Sequence, residues 1–194
     1  MGRMVPAIFL DRDGVIIENR PQYVCSWEDV RFFPQAVRAL QRLKDTPYKI
    51  VVVTNQAGVS RGVIPLSVVE AINRRLWEEV EHAGGRIDGI YMCPHKPEDD
   101  CNCRKPRPGL IEQAARDLSI DLQSSLLVGD MFTDLLAGKA AGVAHLALVR
   151  TGLGASQPNE APSELTGQFS VFDNLSLALD ALIFDSLNRL EGLP

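Results

Sequence analysis

The feature that most limits how this chain can fold is an alternation running through its first three quarters. Short apolar runs rich in Val and Ile are separated by segments with helical periodicity. The runs are Ala7 to Leu10, Lys49 to Thr54, Ile87 to Met92, Ser125 to Gly129 and Ala144 to Val149. They are nearly continuous in apolar residues, the pattern of parallel strands covered on both faces. Between them, Pro34 opens a helix with Val37, Leu40 and Leu43 on one face. A second helix is predicted from about Ser67 to His82, with Ser67 and Glu70 at capping-box spacing and Val69, Ile72, Leu76 and Val80 as its stripe. Pro108 heads a third that turns Ile111, Ala115 and Leu118 inward, and Phe132 to Ala141 forms a short fourth that Gly142 can stop. Strand and helix in such alternation predict one α/β domain with a doubly wound, mostly parallel sheet.

The chain of 194 residues is long enough for one substantial core and short for two, so residues 1–194 are read as a single domain. Gly154 to Gln168 reads as a surface loop, and a strand-helix element over about 169–190 completes the sheet. In that element Phe169 to Phe172 is an edge strand and Asn174 caps a helix carrying Leu175, Leu179, Leu182 and Ile183. A net charge of -5 without a basic block argues against nucleic acid as a partner. No apolar stretch is long enough to cross a bilayer, and the N-terminus lacks a secretory pattern, so a cytoplasmic protein is expected. No heptad or extended apolar surface calls for a partner subunit, and the expectation is a monomer.

Parallel strands of an open sheet present their C-terminal ends to a ligand crevice. The first run ends in Asp11-Arg12-Asp13-Gly14, two carboxylates that repel one another unless a cation sits with them. The plain alternative is an Asp-Gly turn. The second run ends in Thr54-Asn55-Gln56, followed by Gly58 and Arg61; a hydroxyl and a guanidinium there make an anion cradle, or Asn55 and Gly58 are simply turn residues. Arg104-Lys105-Pro106-Arg107-Pro108-Gly109 places three cations just before a helix N-terminus, either a stiff anion site or a solvated charge run. The fourth run ends in Gly129-Asp130, with Asp134 one helical turn on; either acid can be a helix cap taken alone. Three strands delivering Asp11, Asp13, Thr54 and Asp130 to one edge make a cap or turn an inadequate explanation. Hard oxygen donors of this kind suit magnesium bridged to phosphate. Phosphate-ester hydrolysis needs these parts: a nucleophile, cations around the phosphoryl oxygens and an acid for the leaving alkoxide.

Four cysteines sound like a disulfide count, but Cys93, Cys101 and Cys103 crowd together with His95 between them. Cys101 and Cys103 are too close in sequence for a comfortable disulfide. Three thiolates and an imidazole fit a closed, structural tetrahedral zinc site.

These motifs, in this order, resemble those of the haloacid dehalogenase superfamily of phosphohydrolases. Thr54 to Gly62, Cys93-Pro94-His95 and Cys101-Asn102-Cys103-Arg104-Lys105-Pro106 are similar, more narrowly, to the branch that hydrolyses heptose bisphosphates and histidinol phosphate. The resemblance covers roughly residues 5–152 and implies a Rossmann-like sheet without a large cap domain. It implies that Asp11 is the nucleophile, forming an aspartyl phosphate, and that Asp13 is the acid and base. Magnesium is then held by Asp11, the backbone carbonyl of Asp13 and Asp130, with Asp134 supporting the metal shell. Thr54 and Lys105 hold the transferring phosphate, and Asn55, Arg61 and Arg104 are candidates for substrate recognition. The same ligand order of Cys93, His95, Cys101 and Cys103 implies structural zinc, positioning the cations that follow it. The implied substrate is a small phosphorylated sugar, the 7-phosphate of a heptose bisphosphate, with histidinol phosphate the rival; an inactive zinc-stabilised binding domain is the non-enzymatic alternative. Two departures stand out: Met131 occupies a position where relatives often carry lysine, and residues 96–100 make a shorter zinc loop.

Overall fold

A computed structural model describes residues 4–158 and 160–184. It contains a six-stranded parallel sheet of β1 (Ala7–Leu10), β2 (Lys49–Asn55), β3 (Gly89–Cys93), β4 (Leu126–Gly129), β5 (His145–Val149) and β6 (Ser170–Phe172) in the order β3-β2-β1-β4-β5-β6. β1 pairs with β2 on one side and β4 on the other, with Leu10 opposite both Val52 and Val128. The strand order therefore reverses at β1, where open α/β sheets bind ligands.

The period of two within each strand divides the core. Ile8, Leu10, Ile50, Val52, Leu126 and Val128 face a cluster that takes in Leu40, Leu76 and Leu179. Phe9, Val51, Val53 and Leu127 face another that takes in Ile111, Ala114 and Leu135. The helices are α1 (Pro34–Arg42), α2 (Leu66–His82), α3 (Gly109–Leu118), α4 (Phe132–Ala141) and α5 (Leu175–Leu179). α1, α2 and α5 supply the first cluster, and α3 and α4 the second, so the sheet is covered on both faces as its apolar runs require. Complete burial of a side chain such as Phe9 is worth about 1.5–3 kcal/mol.

Local details differ from the sequence expectation for identifiable reasons. Extended Pro65 occupies the N-cap of α2 and starts the helix at Leu66, so Ser67 lies inside the first turn and caps nothing. The buried face of α1 is Ala36, Ala39 and Leu40, with Val37 only partly covered. In α3 the buried residues are Leu110, Ile111 and Ala114, which leaves Ala115 and Leu118 at the border. Gly142 ends α4 at φ 85°, as expected of an αL stop. Asn174 accepts a hydrogen bond from the Leu177 N–H and so caps α5, which continues as a π-helical turn over Asp180–Phe184. The part of the expected C-terminal element over 185–190 lies outside the described residues. Among the described residues, no helix is long and apolar enough to cross a membrane.

Candidate active site

The C-terminal ends of β1, β2 and β4 open into a cavity of about 300 Å³ lined by Asp11, Asp13, Thr54, Lys105, Asp130 and Asp134, among others. Carboxylate oxygens of Asp11, Asp130 and Asp134 lie within 4.8 Å of one another. Asp134 reaches this cluster because it sits in the first turn of α4, where its Oδ2 accepts from the Met131 N–H at 3.0 Å. Asp130 accepts from the Leu153 N–H at 2.8 Å. Gly14 turns the chain away with φ at +90°, and a Cβ there would lie 2.0 Å from Asp130 Oδ2, so only glycine fits.

Lys105 enters from the segment before α3 and is buried, with Nζ 2.7 Å from Asp11 Oδ1, 2.6 Å from Asp134 Oδ1 and 2.8 Å from the Val53 carbonyl. Nζ donates hydrogen bonds to Asp11 and to the Val53 carbonyl, and Asp134 is its second ion-pair partner. Asn55 holds the backbone of Lys105 in place: its Oδ1 accepts from the Lys105 N–H and its Nδ2 donates to the Lys105 carbonyl, both at 3.1 Å. Burial pulls the Lys105 ammonium down, but Asp11 and Asp134 outweigh it and hold it above the ordinary lysine value. Burial pushes Asp11 up to about 7, with Asp134 and Asp13 adding to the rise and Lys105 opposing it. Burial likewise pushes Asp130 up to about 8, helped by Asp11 and Asp134. Three clustered carboxylates against one ammonium leave an excess of buried negative charge. Hard oxygen donors with that excess fit a divalent cation such as magnesium.

Sequence reasoning passed over the two groups that hold Asp13. Arg12 is 1% exposed; its Nε and Nη2 donate to Asp13, and its Nη1 donates to Asn73 Oδ1 at 2.7 Å. Gln56 Nε2 donates to Asp13 Oδ2 at 3.0 Å and to Thr54 Oγ1 at 2.8 Å. A signal existed for Arg12: Asn73 is a polar residue on the buried stripe of α2, and it required a polar partner.

The outer candidates fall into two groups. Arg104 lines the cavity, with one guanidinium nitrogen donating to the His95 carbonyl at 3.0 Å. Arg61 is exposed and donates to the Tyr23 hydroxyl at 2.8 Å; the cavity wall at this point is Tyr23. Met131 also lines the cavity, so the wall beside Asp130 carries a thioether.

Beside this site, the donor atoms of Cys93, His95, Cys101 and Cys103 converge. Sulfur-to-sulfur distances are 3.1 to 3.5 Å, and His95 Nδ1 stands 3.4 Å from Cys103 Sγ and 3.6 Å from Cys93 Sγ. Four ligands around zinc at about 2.3 Å from each sulfur would stand about 3.8 Å apart, only slightly wider than this cage. Burial raises the Cys93 thiol; in Cys101 hydrogen bonds from Cys103 and the Arg104 backbone outweigh burial and bring it down to about 7. The set fits a closed zinc site.

A model of the HAD-hydrolase-like family matches residues 102–178. The chain is 36% identical over 176 residues to a D-glycero-beta-D-manno-heptose-1,7-bisphosphate 7-phosphatase of Pseudomonas aeruginosa, covering 91% of this chain and 97% of that one. It is 38% identical to the D-glycero-alpha-D-manno-heptose-1,7-bisphosphate 7-phosphatase of Photorhabdus laumondii, covering 80% and 88%. Its fold is similar to the crystal structure of D,D-heptose 1,7-bisphosphate phosphatase from B. bronchiseptica complexed with magnesium and phosphate, with a TM-score of 0.83, 33% identity, and 93% and 99% of the two chains covered. The chain belongs to the family of haloacid dehalogenase-like phosphoric monoester hydrolases that contains the heptose-1,7-bisphosphate 7-phosphatases.

Proposed function

We propose that this protein is a magnesium-dependent phosphatase that removes the 7-phosphate of D-glycero-D-manno-heptose 1,7-bisphosphate through an aspartyl phosphate on Asp11. The observation that carries the reading is the meeting of Asp11, Asp130 and Asp134 with the buried ammonium of Lys105, at the strand ends where β1 separates β2 from β4. Asp11, the backbone carbonyl of Asp13 and Asp130 would hold magnesium, with Asp134 supporting. When bound, the ion neutralises the carboxylate cluster and the phosphoryl oxygens.

The hydrogen bond from Lys105 engages Asp11 Oδ1 and leaves Oδ2 as the attacking oxygen. Attack by Asp11 on phosphorus breaks the bond to the sugar oxygen, and Asp13 gives that oxygen a proton. Asp13 then takes a proton from the water that attacks the acyl phosphate, which releases inorganic phosphate and restores Asp11. Thr54 and Lys105 steady the transferring group, and Arg104 faces the remainder of the substrate. The cysteine and histidine cage holds structural zinc and fixes the segment that carries Arg104 and Lys105. The protein is read as a cytoplasmic monomer whose partner is this small sugar phosphate.

The test is phosphate release from both anomers of the heptose bisphosphate and from histidinol phosphate, with magnesium and with a chelator. Release from the heptose ester that needs magnesium is expected. A preference of about a hundredfold in kcat/KM for histidinol phosphate would overturn the substrate. No release from any of the three would overturn the enzyme reading.

A further inference from the structure

We infer that Gln56 is a positioning residue that sets two catalytic groups at once, the carboxylate of Asp13 and the hydroxyl hydrogen of Thr54. The inference rests on the phosphatase reading above and adds a residue to it. Gln56 is 5% exposed and lines the cavity, and its own backbone N–H is anchored to the Cys93 carbonyl at 2.7 Å. The side chain has little freedom.

Proton counting gives the direction of each bond. Asp13 Oδ2 already accepts from Arg12 Nε, so the group that Gln56 turns toward the same oxygen is its amide nitrogen, which carries two hydrogens. One goes to Asp13 Oδ2 at 3.0 Å and the other to Thr54 Oγ1 at 2.8 Å, so both are used. Thr54 Oγ1 must therefore accept from Gln56, and its own hydrogen must point elsewhere. Among the described residues no acceptor for that hydrogen is found, and Thr54 faces the cavity. The hydroxyl is left as a donor aimed at the place where a phosphoryl oxygen sits.

The same amide fixes the rotation of Asp13. Arg12 grips that carboxylate with Nε and Nη2 and is itself held by Asn73. Gln56 adds a further contact on Oδ2 from the position just after β2, on the side of Thr54. Two strands are thereby coupled: the group that moves a proton at β1 and the group that holds phosphate at β2 share one donor.

Gln56→Met keeps length and removes both donors; Gln56→Glu keeps shape, repels Asp13 and accepts the hydrogen of Thr54. Both variants and the wild-type protein are assayed on heptose bisphosphate, an alkyl ester whose leaving oxygen needs a proton. The second substrate is p-nitrophenyl phosphate, whose leaving group departs as its anion. Inhibition by inorganic phosphate and the urea midpoint are measured alongside. For Gln56→Met, kcat should fall about a hundredfold on the alkyl ester and about tenfold on the nitrophenyl ester, because only the former loses an oriented acid. KM should stay within about threefold while phosphate inhibits about tenfold more weakly. Gln56→Glu should show the weakest phosphate inhibition. An equal fall on both esters with unchanged phosphate inhibition indicates a merely structural residue and overturns the inference, as does wild-type behaviour of Gln56→Met. Failure of the wild-type protein to hydrolyse either ester overturns the phosphatase reading beneath it.

Discussion

Replacing Lys105 by methionine isolates the electrostatic core of the site, because methionine preserves most of the packing and removes only the charge and three donors. The ammonium stands 2.7 Å from Asp11 and 2.6 Å from Asp134, both buried. At an effective dielectric constant of about 20, each attraction is worth about 6 kcal/mol gross, against which stands the desolvation of the lysine. Breaking a buried pair by removing one partner costs about 3–5 kcal/mol net. Asp11, already raised to about 7, can take up a proton in the variant and relieve part of that cost near neutrality. We expect a loss of about 3 kcal/mol at pH 8 in chelator, shrinking by about 1–2 kcal/mol at pH 6. With a urea slope of about 2 kcal/mol/M, the midpoint at pH 8 should fall by about 1.5 M. Adding Asp134→Asn removes one of the repelling charges and should return about 1–2 kcal/mol. A midpoint shift under about 0.5 M at pH 8, with an unchanged slope, would refute the idea that this lysine offsets buried carboxylates.

Metal removal should make stability depend on pH in a definite sense. Asp11 and Asp130 are raised from 3.8 to about 7 and about 8, so between these limits the folded state binds more protons than the unfolded. Stability of the chelator-treated protein should therefore fall as pH rises from about 4 to about 8, and magnesium should flatten the profile. Thermal melts across that range check it, and a flat or rising curve in chelator contradicts it. Gly14→Ala, forced to φ +90° with Cβ 2.0 Å from Asp130 Oδ2, should weaken magnesium binding at least about tenfold in a calorimetric titration. Gly62→Ala, at φ +69° in open space, should cost only about 1 kcal/mol and leave the titration unchanged; equal magnesium affinities for the two variants would count against the geometry. Cys101→Ser should lose zinc by elemental analysis and lose turnover with it, since Arg104 and Lys105 follow Cys103 directly; a folded, zinc-free variant with full turnover would end that link.

The strand-end acids and Thr54 were legible because a parallel sheet has one ligand edge, and apolar runs reveal where each strand stops. Their side chains needed only local pattern to be placed. Lys105 was legible as a motif, but its route was not, since the bonds from Asn55 to its backbone join residues 50 positions apart. Arg12 carries no signal of its own between two aspartates, and its burial depends on the tertiary contact with Asn73 together with its bonds to Asp13. Arg61 was legible as a charge but its position was not, since it donates to Tyr23 on a loop whose path no periodicity encodes. Helix boundaries failed where proline changed the count, as at Pro65.

Strand order explains why these groups act as one site. β1 lies between β2 and β4, so Asp11 has Thr54 on one side and Asp130 on the other, each delivered by a directly paired strand. The segment after β3 begins one strand farther out, yet it must supply the cation. The cage of Cys93, His95, Cys101 and Cys103 gathers that segment beyond β3, Asn55 at the tip of β2 grips it, and Lys105 spans the remaining distance beneath to reach Asp11. The wall above is assembled the same way: Arg61 meets Tyr23, Ser60 meets Asp99, and Arg104 meets the His95 carbonyl. Loops after three strands thus brace one another around the crevice. A short loop gathered by three cysteines and a histidine suffices where the sheet itself brings the carboxylates together, because what remains is to hold one lysine and one arginine in fixed places.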